Sequence, residues 1–457
     1  MRSPKHRPRG TYLAVVFVAF FVLCPWAWAA HKEKVLYSFQ GGTDGATPAG
    51  GVAFDATGNL YGATTNGGST SCRSIAQCGT VFQLARPAKQ GDPWIETVLY
   101  VFKGNASNDG TSPAGGVVID KAGNLYGTTA YGGTGNCVLL GSKLGCGTVY
   151  ELSPPKQKGG AWTETVLYSF PTAKQGYLPN GDLVFDGAGN LYGATMFGGG
   201  HGTTCDTLYQ YCGAVFELSP PKTKGGKWTE KVLHGFKSGK DGANPNGGLI
   251  FDAKGAIYGT TQTGGFDGGF CGSGGCGIVF KLVPPTMKGN VWTEQVLDRF
   301  TLANSGGAEP QAGLILDRIG NLLGTTVGGG ISGSGTIFQL THCPNGKWME
   351  HVLYRFLDRN DGSEPRGSLL FDHKGDLYGT ASGGGMAGNG TLFRLRPSGK
   401  SWIFMQAYEY KASPDGAYPT GKLTLDRIGN LYGTTQYGGS GQACGNFRCG
   451  IVFEISP

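Results

Sequence analysis

The chain has 457 residues, of which 84 are glycine, and a formal net charge of +7 at neutral pH. The glycines follow no Gly-X-Y register and alternate with regularly spaced aliphatic and aromatic residues, which excludes a collagen-like fibre and low-complexity disorder. Four basic residues fall in an N-terminal leader, and the charge of about +3 that remains without them gives no indication of nucleic-acid binding.

The first 29 residues have the features of a secretory signal peptide. Four basic residues within positions 2–9 precede an apolar run over positions 12–24, and Ala27-Trp28-Ala29 is a small-residue cleavage site. A retained membrane anchor is the alternative, but the apolar run is short for a membrane span. We therefore predict a secreted protein, located outside the cell, at its surface or in the periplasm, in which residues 30–457 form a single domain.

A Gly-Asn-Leu-Tyr-Gly segment recurs along the whole mature chain and defines seven repeats. Its successive starts are separated by 65, 66, 66, 65, 55 and 54 residues. Self-similarity at a nearly fixed period indicates one repeat array rather than the three domains that length alone suggests. The copies start, with small variations, at Gly58, Gly123, Gly189, Gly255, Gly320, Gly375 and Gly429.

Each repeat contains four strand-like runs. In the first repeat these are residues 51–55, 59–64, 80–84 and 96–102, all rich in β-branched and aromatic residues and bounded by Gly, Asn, Asp or Pro. No helical periodicity competes with them. Seven repeats of four strands predict an all-β fold, a seven-bladed β-propeller of four-stranded antiparallel blades.

The two ends of the array complement each other. Residues 34–39 match the fourth strand of a repeat, whereas the chain ends at residues 451–455, which match a third strand. The N-terminal strand is therefore expected to complete the last blade, closing the ring and removing an exposed sheet edge.

Ten cysteines form five local pairs, each between a Gly-Gly and the following Gly-Thr-Val-Phe-like strand. An oxidising compartment favours disulfides, and the spacings and histidines of a zinc site are absent. The remaining cysteine of the mature chain, Cys343, is expected to be a shielded free thiol. The predicted disulfides are Cys72–Cys78, Cys137–Cys146, Cys205–Cys212, Cys271–Cys276 and Cys444–Cys449.

Two sets of aspartates recur. One set, beginning with Asp55, ends each first strand before an x-x-Gly turn, where a carboxylate can accept turn N–H groups. Calcium ligation is the alternative, although the spacing differs from that of a calcium loop. The second set lies in Asp-Gly-x-x-Pro segments that lead into the first strands, where a turn role competes with a ligand-binding role at the mouth of the channel. Its members are Asp44, Asp109, Asp241, Asp361 and Asp415.

The repeats resemble the GloVer tandem-repeat proteins of bacterial cell surfaces, whose signature is Gly-Asn-Leu-Tyr-Gly-Thr-Thr-x-x-Gly-Gly followed by Gly-Thr-Val-Phe. Residues 123–129, 132–133 and 147–150 carry this signature, and the resemblance spans about Val35 to Pro457. It implies a secreted, propeller-like protein, often joined to a surface anchor, and it implies no particular activity. No sorting tail follows the last strand, so free secretion or periplasmic residence is expected.

Two functional hypotheses follow. The first is a binding module that contacts an unknown glycan or protein through aromatic residues near the Gly-Gly loops, although these rings could instead pack beneath the loops. The second is a polysaccharide hydrolase or lyase with acidic residues at the channel mouth. No Gly-x-Ser-x-Gly, His-Glu-x-x-His or phosphate-loop motif assigns catalytic residues. We expect a monomer with no retained membrane span and no cofactor, with calcium as the alternative. The candidate contacts are Tyr131, Phe197, Phe266 and Tyr437.

Overall fold

The computed structural model describes residues 32–69, 78–89, 91–104, 107–139, 141–157, 159–199, 212–223, 225–265, 271, 274–287 and 291–456. The predicted signal peptide, together with Cys72, Cys205 and Phe266, lies outside these residues. Among the residues described, no helix is long and apolar enough to cross a membrane.

The described residues form an all-β, seven-bladed propeller, as the repeat count predicts. Each blade is an antiparallel sheet whose first strand is nearest the ring axis, and six of the seven first strands are only two residues long. Blades 1 to 3 contain, in order, Ala53–Phe54, Leu60–Thr64, Thr80–Ala85 and Ile95–Val101; Val118–Ile119, Leu125–Gly132, Thr148–Ser153 and Thr163–Ser169; and Tyr177–Phe185, Leu191–Phe197, Ala214–Ser219 and Thr229–Gly235. Blades 4 to 7 contain Ile250–Phe251, Ile257–Thr263, Ile278–Val283 and Thr293–Arg299; Ile315–Leu316, Leu322–Thr326, Thr336–His342 and Trp348–Arg355; Leu370–Phe371, Leu377–Ala381, Thr391–Ser398 and Ser401–Glu409; and Thr424–Leu425, Leu431–Thr435, Ile451–Ser456 and Lys32–Ser38.

Short additional strands and 3-10 turns occupy the connections. The strands are Gly110–Pro113, Val138–Leu139, Ser142–Lys143, Ala243–Pro245, Gly307–Ala308, Gly328–Gly329, Gly416–Ala417 and Tyr437–Gly438. The 3-10 turns are Ala173–Gln175, Gly239–Asp241, Ala303–Ser305 and Gly445–Phe447.

The N-terminal strand closes the ring. Lys32–Ser38 pairs antiparallel with Ile451–Ser456, and Lys32 lies opposite Ser456. Phe39, which follows the N-terminal strand, is fully buried, and its ring centroid is 5.1 Å from that of Phe82 in blade 1. The closing strand therefore completes the sheet of blade 7, and the core contact of Phe39 links it to blade 1.

The second glycine of the Gly-Asn-Leu-Tyr-Gly segment is required by the core. A large aromatic ring of the third strand lies directly over it, as Phe82 lies over Gly62. A Cβ on Gly62 would be 2.6 Å from the Phe82 ring, and the same relationship recurs in the other six blades. Dense packing leaves no room for one more methyl group here.

The loops between second and third strands are tied to the next blade. The residue before each Pro of the first-strand segments has a positive φ, for example 52° at Ser112, and its N–H donates to the loop of the preceding blade. The Ser112 N–H bonds the carbonyl oxygen of Cys78 at 3.1 Å, and the other six blades make the equivalent bond. These loops therefore share one face of the ring with the first-strand segments, and we call it the loop face.

The disulfides follow the prediction wherever both partners are described. Their Cα–Cα distances are 5.0 Å for Cys137–Cys146, 5.2 Å for Cys271–Cys276 and 5.3 Å for Cys444–Cys449. Cys78 and Cys212 are also disulfide-bonded, and Cys343 is a half-buried free thiol. Structural disulfides indicate an oxidising, extracytoplasmic compartment.

Candidate ligand-binding site

A depression of about 480 Å³ lies on the ring axis and opens toward the loop face. Every blade contributes a Pro-x-Gly/Ala-x segment that leads into its first strand. Because the seven segments are equivalent in sequence, the ring brings the same four positions together around the axis. The segments are residues 48–51, 113–116, 179–182, 245–248, 310–313, 365–368 and 419–422.

Backbone packing between neighbouring segments surrounds the depression. A Cβ added to Gly50, Gly115, Gly247 or Gly421 would lie under 3 Å from the backbone of the next segment around the ring. Side chains are therefore excluded at these positions, and the blades meet backbone to backbone. This leaves the positions on either side of each glycine to set the chemistry of the depression.

An ion pair spans the depression. Lys422 of blade 7 places Nζ 2.5 Å from Oδ2 of Asp182 in blade 3, and Oδ1 of Asp182 accepts the Gly116 N–H at 2.7 Å. Burial raises the pKa of Asp182, but the Lys422 charge and these hydrogen bonds outweigh burial and leave the pKa lowered. Four of the other five blades carry glycine at this position, so the pair is a departure from the repeat.

Amide and guanidinium groups form the rim of the depression. The Asn180 side-chain amide donates to Oδ1 of Asn246 on the next blade. The Arg366 guanidinium donates to Gln311 Oε1 at 2.5 Å and to Glu364 Oε2 at 2.8 Å. These groups retain unused donors and acceptors toward the opening.

An aromatic cluster borders the rim at blade 7. Tyr437 lines the depression, and its ring centroid is 5.5 Å from that of Tyr418 and 5.4 Å from that of Phe447. Tyr418 is 39% exposed and Phe447 is 67% exposed. Aromatic faces that border a polar depression suit ligands with both hydroxyl groups and apolar faces.

The other predicted aromatic contacts do not line this depression. Tyr131 occupies the same repeat position as Tyr437 but is half-buried in blade 2, where burial raises the pKa of its phenol. Phe197 is half-buried and packs with its ring centroid 5.3 Å from that of Tyr177. Of the predicted contacts within the described residues, only Tyr437 reaches the axial depression.

The five Asp-Gly-x-x-Pro aspartates are spread around the ring, no two in the same blade, and do not converge. Asp109 accepts hydrogen bonds from the Tyr100 hydroxyl, the Lys103 N–H and the Gly110 N–H at 2.8, 2.8 and 2.6 Å. Asp44, Asp361 and Asp415 accept equivalent tyrosine hydroxyls at 3.0, 2.9 and 2.9 Å, whereas Asp241 faces His234. Their bonds are those of turn residues.

The aspartates that end the first strands likewise organise turns. Asp55 Oδ1 accepts the N–H groups of Thr57 and Asn59 at 2.8 and 2.9 Å. The same pair of bonds recurs at Asp120, Asp186, Asp252, Asp317, Asp372 and Asp426.

A ring of glutamates between the blades was not predicted from the sequence. A Glu near the start of each fourth strand, except in blade 6, carries a solvent-shielded Oε1 without a hydrogen-bond partner. Burial, and in five of the six a neighbouring aspartate, raise their pKa, to about 7 for Glu164 beside Asp109. The sequence signal that could have identified these glutamates is the Thr-Glu dipeptide at the start of several fourth strands. The six residues are Glu33, Glu96, Glu164, Glu230, Glu294 and Glu350.

A second cavity, of about 540 Å³, lies between blades 7 and 1. It is lined by the turns at Asp55 and Asp426 together with Trp94 and Ile428. It is a groove between equivalent turns of two neighbouring blades. Only these two blades line it, whereas segments of all seven blades line the axial depression.

Comparison with known proteins identifies the sequence family. The Gloeobacter/Verrucomicrobia repeat matches residues 22–204 and 269–457, and no curated protein matches the chain. Two solved structures, candidate 6-phosphogluconolactonases from Bacteroides fragilis and Bacteroides uniformis, are 13% and 12% identical, with TM-scores of 0.48 and 0.49. The alignments cover 84% and 87% of this chain and 87% and 99% of theirs.

A third structure, a candidate oxidoreductase (glucose dehydrogenase) from Thermus thermophilus, is 14% identical, with a TM-score of 0.41. The alignment covers 93% of this chain and all of that one. At these identities and scores the similarities carry no argument about function. The match to the repeat family covers most of the sequence, and the chain therefore belongs to the Gloeobacter/Verrucomicrobia repeat family.

Proposed function

We propose that the protein is a secreted binding module that takes a glycan in the axial depression. The observation that supports this proposal best is the combination of an amide-rich rim with an aromatic cluster at one side. Asn246, Gln311 and Arg366 offer hydrogen-bonding groups. The hydroxyl oxygens of Thr47, which accepts from Asn66, and of Thr420, which donates to the Ala49 carbonyl oxygen, add acceptor capacity. Polyhydroxylated ligands suit a rim that combines amide and hydroxyl groups with one guanidinium.

The size and shape of the depression agree with this function. Its volume of about 480 Å³ falls within the range of roughly 300–1,000 Å³ that is usual for small-ligand pockets. The aromatic cluster of Tyr437, Tyr418 and Phe447 offers ring faces on which the apolar face of a sugar could stack. A longer glycan could then pass from the axis across blade 7.

The chemistry on the axis favours binding over cleavage. Glycoside hydrolases require two carboxyl groups about 5–9.5 Å apart beside the scissile bond. Within the described residues, the lining of the depression includes one carboxylate, Asp182, which Lys422 already neutralises. An extracellular polysaccharide hydrolase or lyase is the second candidate, and the same experiment tests it.

The test is binding of soluble polysaccharides and their oligosaccharides to the oxidised mature protein, by calorimetry and by thermal shift. A ligand that binds the folded state should raise the melting temperature in a saturable way. Tyr437→Ala should weaken that binding about tenfold or more, because it removes a stacking surface. Tyr131→Ala is the matched control, since Tyr131 has the same repeat position but does not line the depression.

Binding that both variants reduce equally, or that neither reduces, would contradict the axial site. Failure of every polysaccharide in the panel to bind would count against the glycan proposal itself. Chromatography of the same mixtures shows whether shorter products form, and their appearance would favour the enzymatic alternative.

A further inference from the structure

We propose that His234, Asp241 and Glu294 form a binding site for one divalent transition-metal ion between blades 3 and 4. His234 lies on the fourth strand of blade 3 and Asp241 ends the following 3-10 turn, Gly239–Asp241. Glu294 lies on the fourth strand of blade 4. One potential ligand atom from each residue lies within 4.8 Å of the other two. This site lies away from the axial depression and does not depend on the proposed function.

The cluster is a specific departure from a structural feature that four other blades share. In blades 1, 5, 6 and 7 a tyrosine occupies the position of His234 and donates its hydroxyl to the aspartate of the following turn, as Tyr100 donates to Asp109 at 2.8 Å. Replacement of tyrosine by histidine removes the hydroxyl donor. It introduces an imidazole nitrogen, which can ligate a metal when neutral.

Two of the three side chains in the cluster carry a solvent-shielded atom that has no hydrogen bond. His234 Nε2 and Glu294 Oε1 are both inaccessible to solvent and make no hydrogen bond. His234 Nε2 lies 3.4 Å from Asp241 Oδ1, which is an ion-pair separation, and the two side chains are 16% and 22% exposed. Buried polar atoms without a partner are costly, and a cation bound beside Asp241 would give both His234 Nε2 and Glu294 Oε1 a partner.

The surroundings hold the imidazole in place. The Phe236 ring packs edge-on against His234, with centroids 4.8 Å apart. The Lys237 N–H donates to Asp241 Oδ2 at 2.7 Å, which fixes that carboxylate and leaves Oδ1 toward the histidine. Arg299 lies at the other end of the Glu294 strand and directs its guanidinium to the Lys240 carbonyl oxygen, 3.4 Å away.

The donor set indicates which ions fit. One imidazole nitrogen with two carboxylates suits Zn²⁺, Co²⁺, Ni²⁺ or Mn²⁺, whereas Ca²⁺ prefers six to eight oxygen ligands. Three protein ligands leave a coordination position for water or for a group from a bound molecule. In the part of the chain that the structure describes, this is the one group of three or more potential ligands with this proximity.

The test uses the full mature protein, freed of metal with a chelator and titrated separately with ZnCl₂, MnCl₂ and CaCl₂. Equilibrium dialysis should find about one Zn²⁺ per chain, and thermal shift should find a higher melting temperature with Zn²⁺ than with equal Ca²⁺. His234→Tyr restores the residue found in five other blades and should fold normally while losing the bound Zn²⁺. Glu294→Gln should weaken binding at least tenfold.

A variant that creates a second site tests the proposal by a gain of metal binding, which a misfolded protein would not show. Tyr37→His places an imidazole beside Asp44 and Glu96 in the equivalent position between blades 7 and 1, and it should raise the Zn²⁺ content to about two per chain. No binding to the unmodified protein would overturn the proposal. Equal Zn²⁺ binding by the unmodified protein and His234→Tyr would overturn it as well.

Discussion

Asp182 of blade 3 and Lys422 of blade 7 meet across the ring axis, with Oδ2 and Nζ 2.5 Å apart. The side chains are 21% and 32% exposed, so the pair is largely withdrawn from solvent. Removal of one partner from a buried pair leaves an uncompensated charge, whereas replacement of both by well-packed apolar residues is often close to neutral.

The first prediction is that Lys422→Met lowers the free energy of unfolding by about 3 kcal/mol, at the lower end of the cost of breaking a buried pair. The double variant Asp182→Gly with Lys422→Gly should be more stable than Lys422→Met, because it restores the glycine of most blades and leaves no unpaired charge. Urea unfolding at pH 7 measures both. A double variant less stable than the single one would contradict this account.

The second prediction concerns pH. Burial, with the adjacent Asp109 charge, raises the pKa of Glu164 to about 7 from an ordinary value of 4.5, so the folded protein holds this proton more tightly than the unfolded chain does. The resulting stabilisation is fully present below about pH 4.5 and is lost as the pH rises through about 7. Glu33, Glu96 and Glu350 behave in the same direction.

Melting temperatures at pH 5 and pH 8 check this effect. Glu164→Gln should reduce the decrease between the two pH values, because the amide cannot ionise. The exposed Glu309 provides the control, and Glu309→Gln should leave the decrease unchanged. A decrease that Glu164→Gln leaves intact would show that these carboxyl groups do not govern the pH response.

The third prediction tests the packing of aromatic rings over glycine. Gly62→Ala should destabilise the protein by about 1–3 kcal/mol, because the new Cβ would be 2.6 Å from the Phe82 ring. Gly187→Ala is the control, since a Cβ there meets nothing within 4 Å and other repeats carry larger residues at that position. Equal melting temperatures for the two variants would disprove the requirement.

The fourth prediction concerns ring closure. Phe39→Ala should lower the free energy of unfolding by about 3–5 kcal/mol, because Phe39 is fully buried between blade 7 and blade 1. Ile428→Ala, at a side chain that is 83% exposed, should change it by less than about 0.5 kcal/mol. Denaturant unfolding of both variants measures the difference.

The sequence predicted those features that depend on local signals repeated seven times. Strand alternation, turn residues such as Asp55 and the spacing of Cys137 and Cys146 are all encoded within a few residues, so the blade and its loops could be inferred. The matching ends of the array also predicted the closing strand. Repetition made each weak local signal strong.

The axial site could not be predicted in the same way, because it depends on which blades face each other. Asp182 and Lys422 occupy the same repeat position in distant parts of the sequence, and only the closed ring brings them together. Tyr131 and Tyr437 have equivalent sequence surroundings and are both half-buried, yet only Tyr437 lines the depression. The metal cluster likewise joins residues of two blades.

The pairing of Lys32–Ser38 with Ile451–Ser456 has a consequence for synthesis of the chain. Lys32–Ser38 precedes the other strands of the ring and pairs with the last of them, so its hydrogen-bonding edge has no partner until the strand of residues 451–456 is in place. An incomplete ring would therefore carry two unpaired sheet edges, and a second copy of the chain offers the same edges. A factor that shields the N-terminal strand, or export before folding, would protect the protein at this stage.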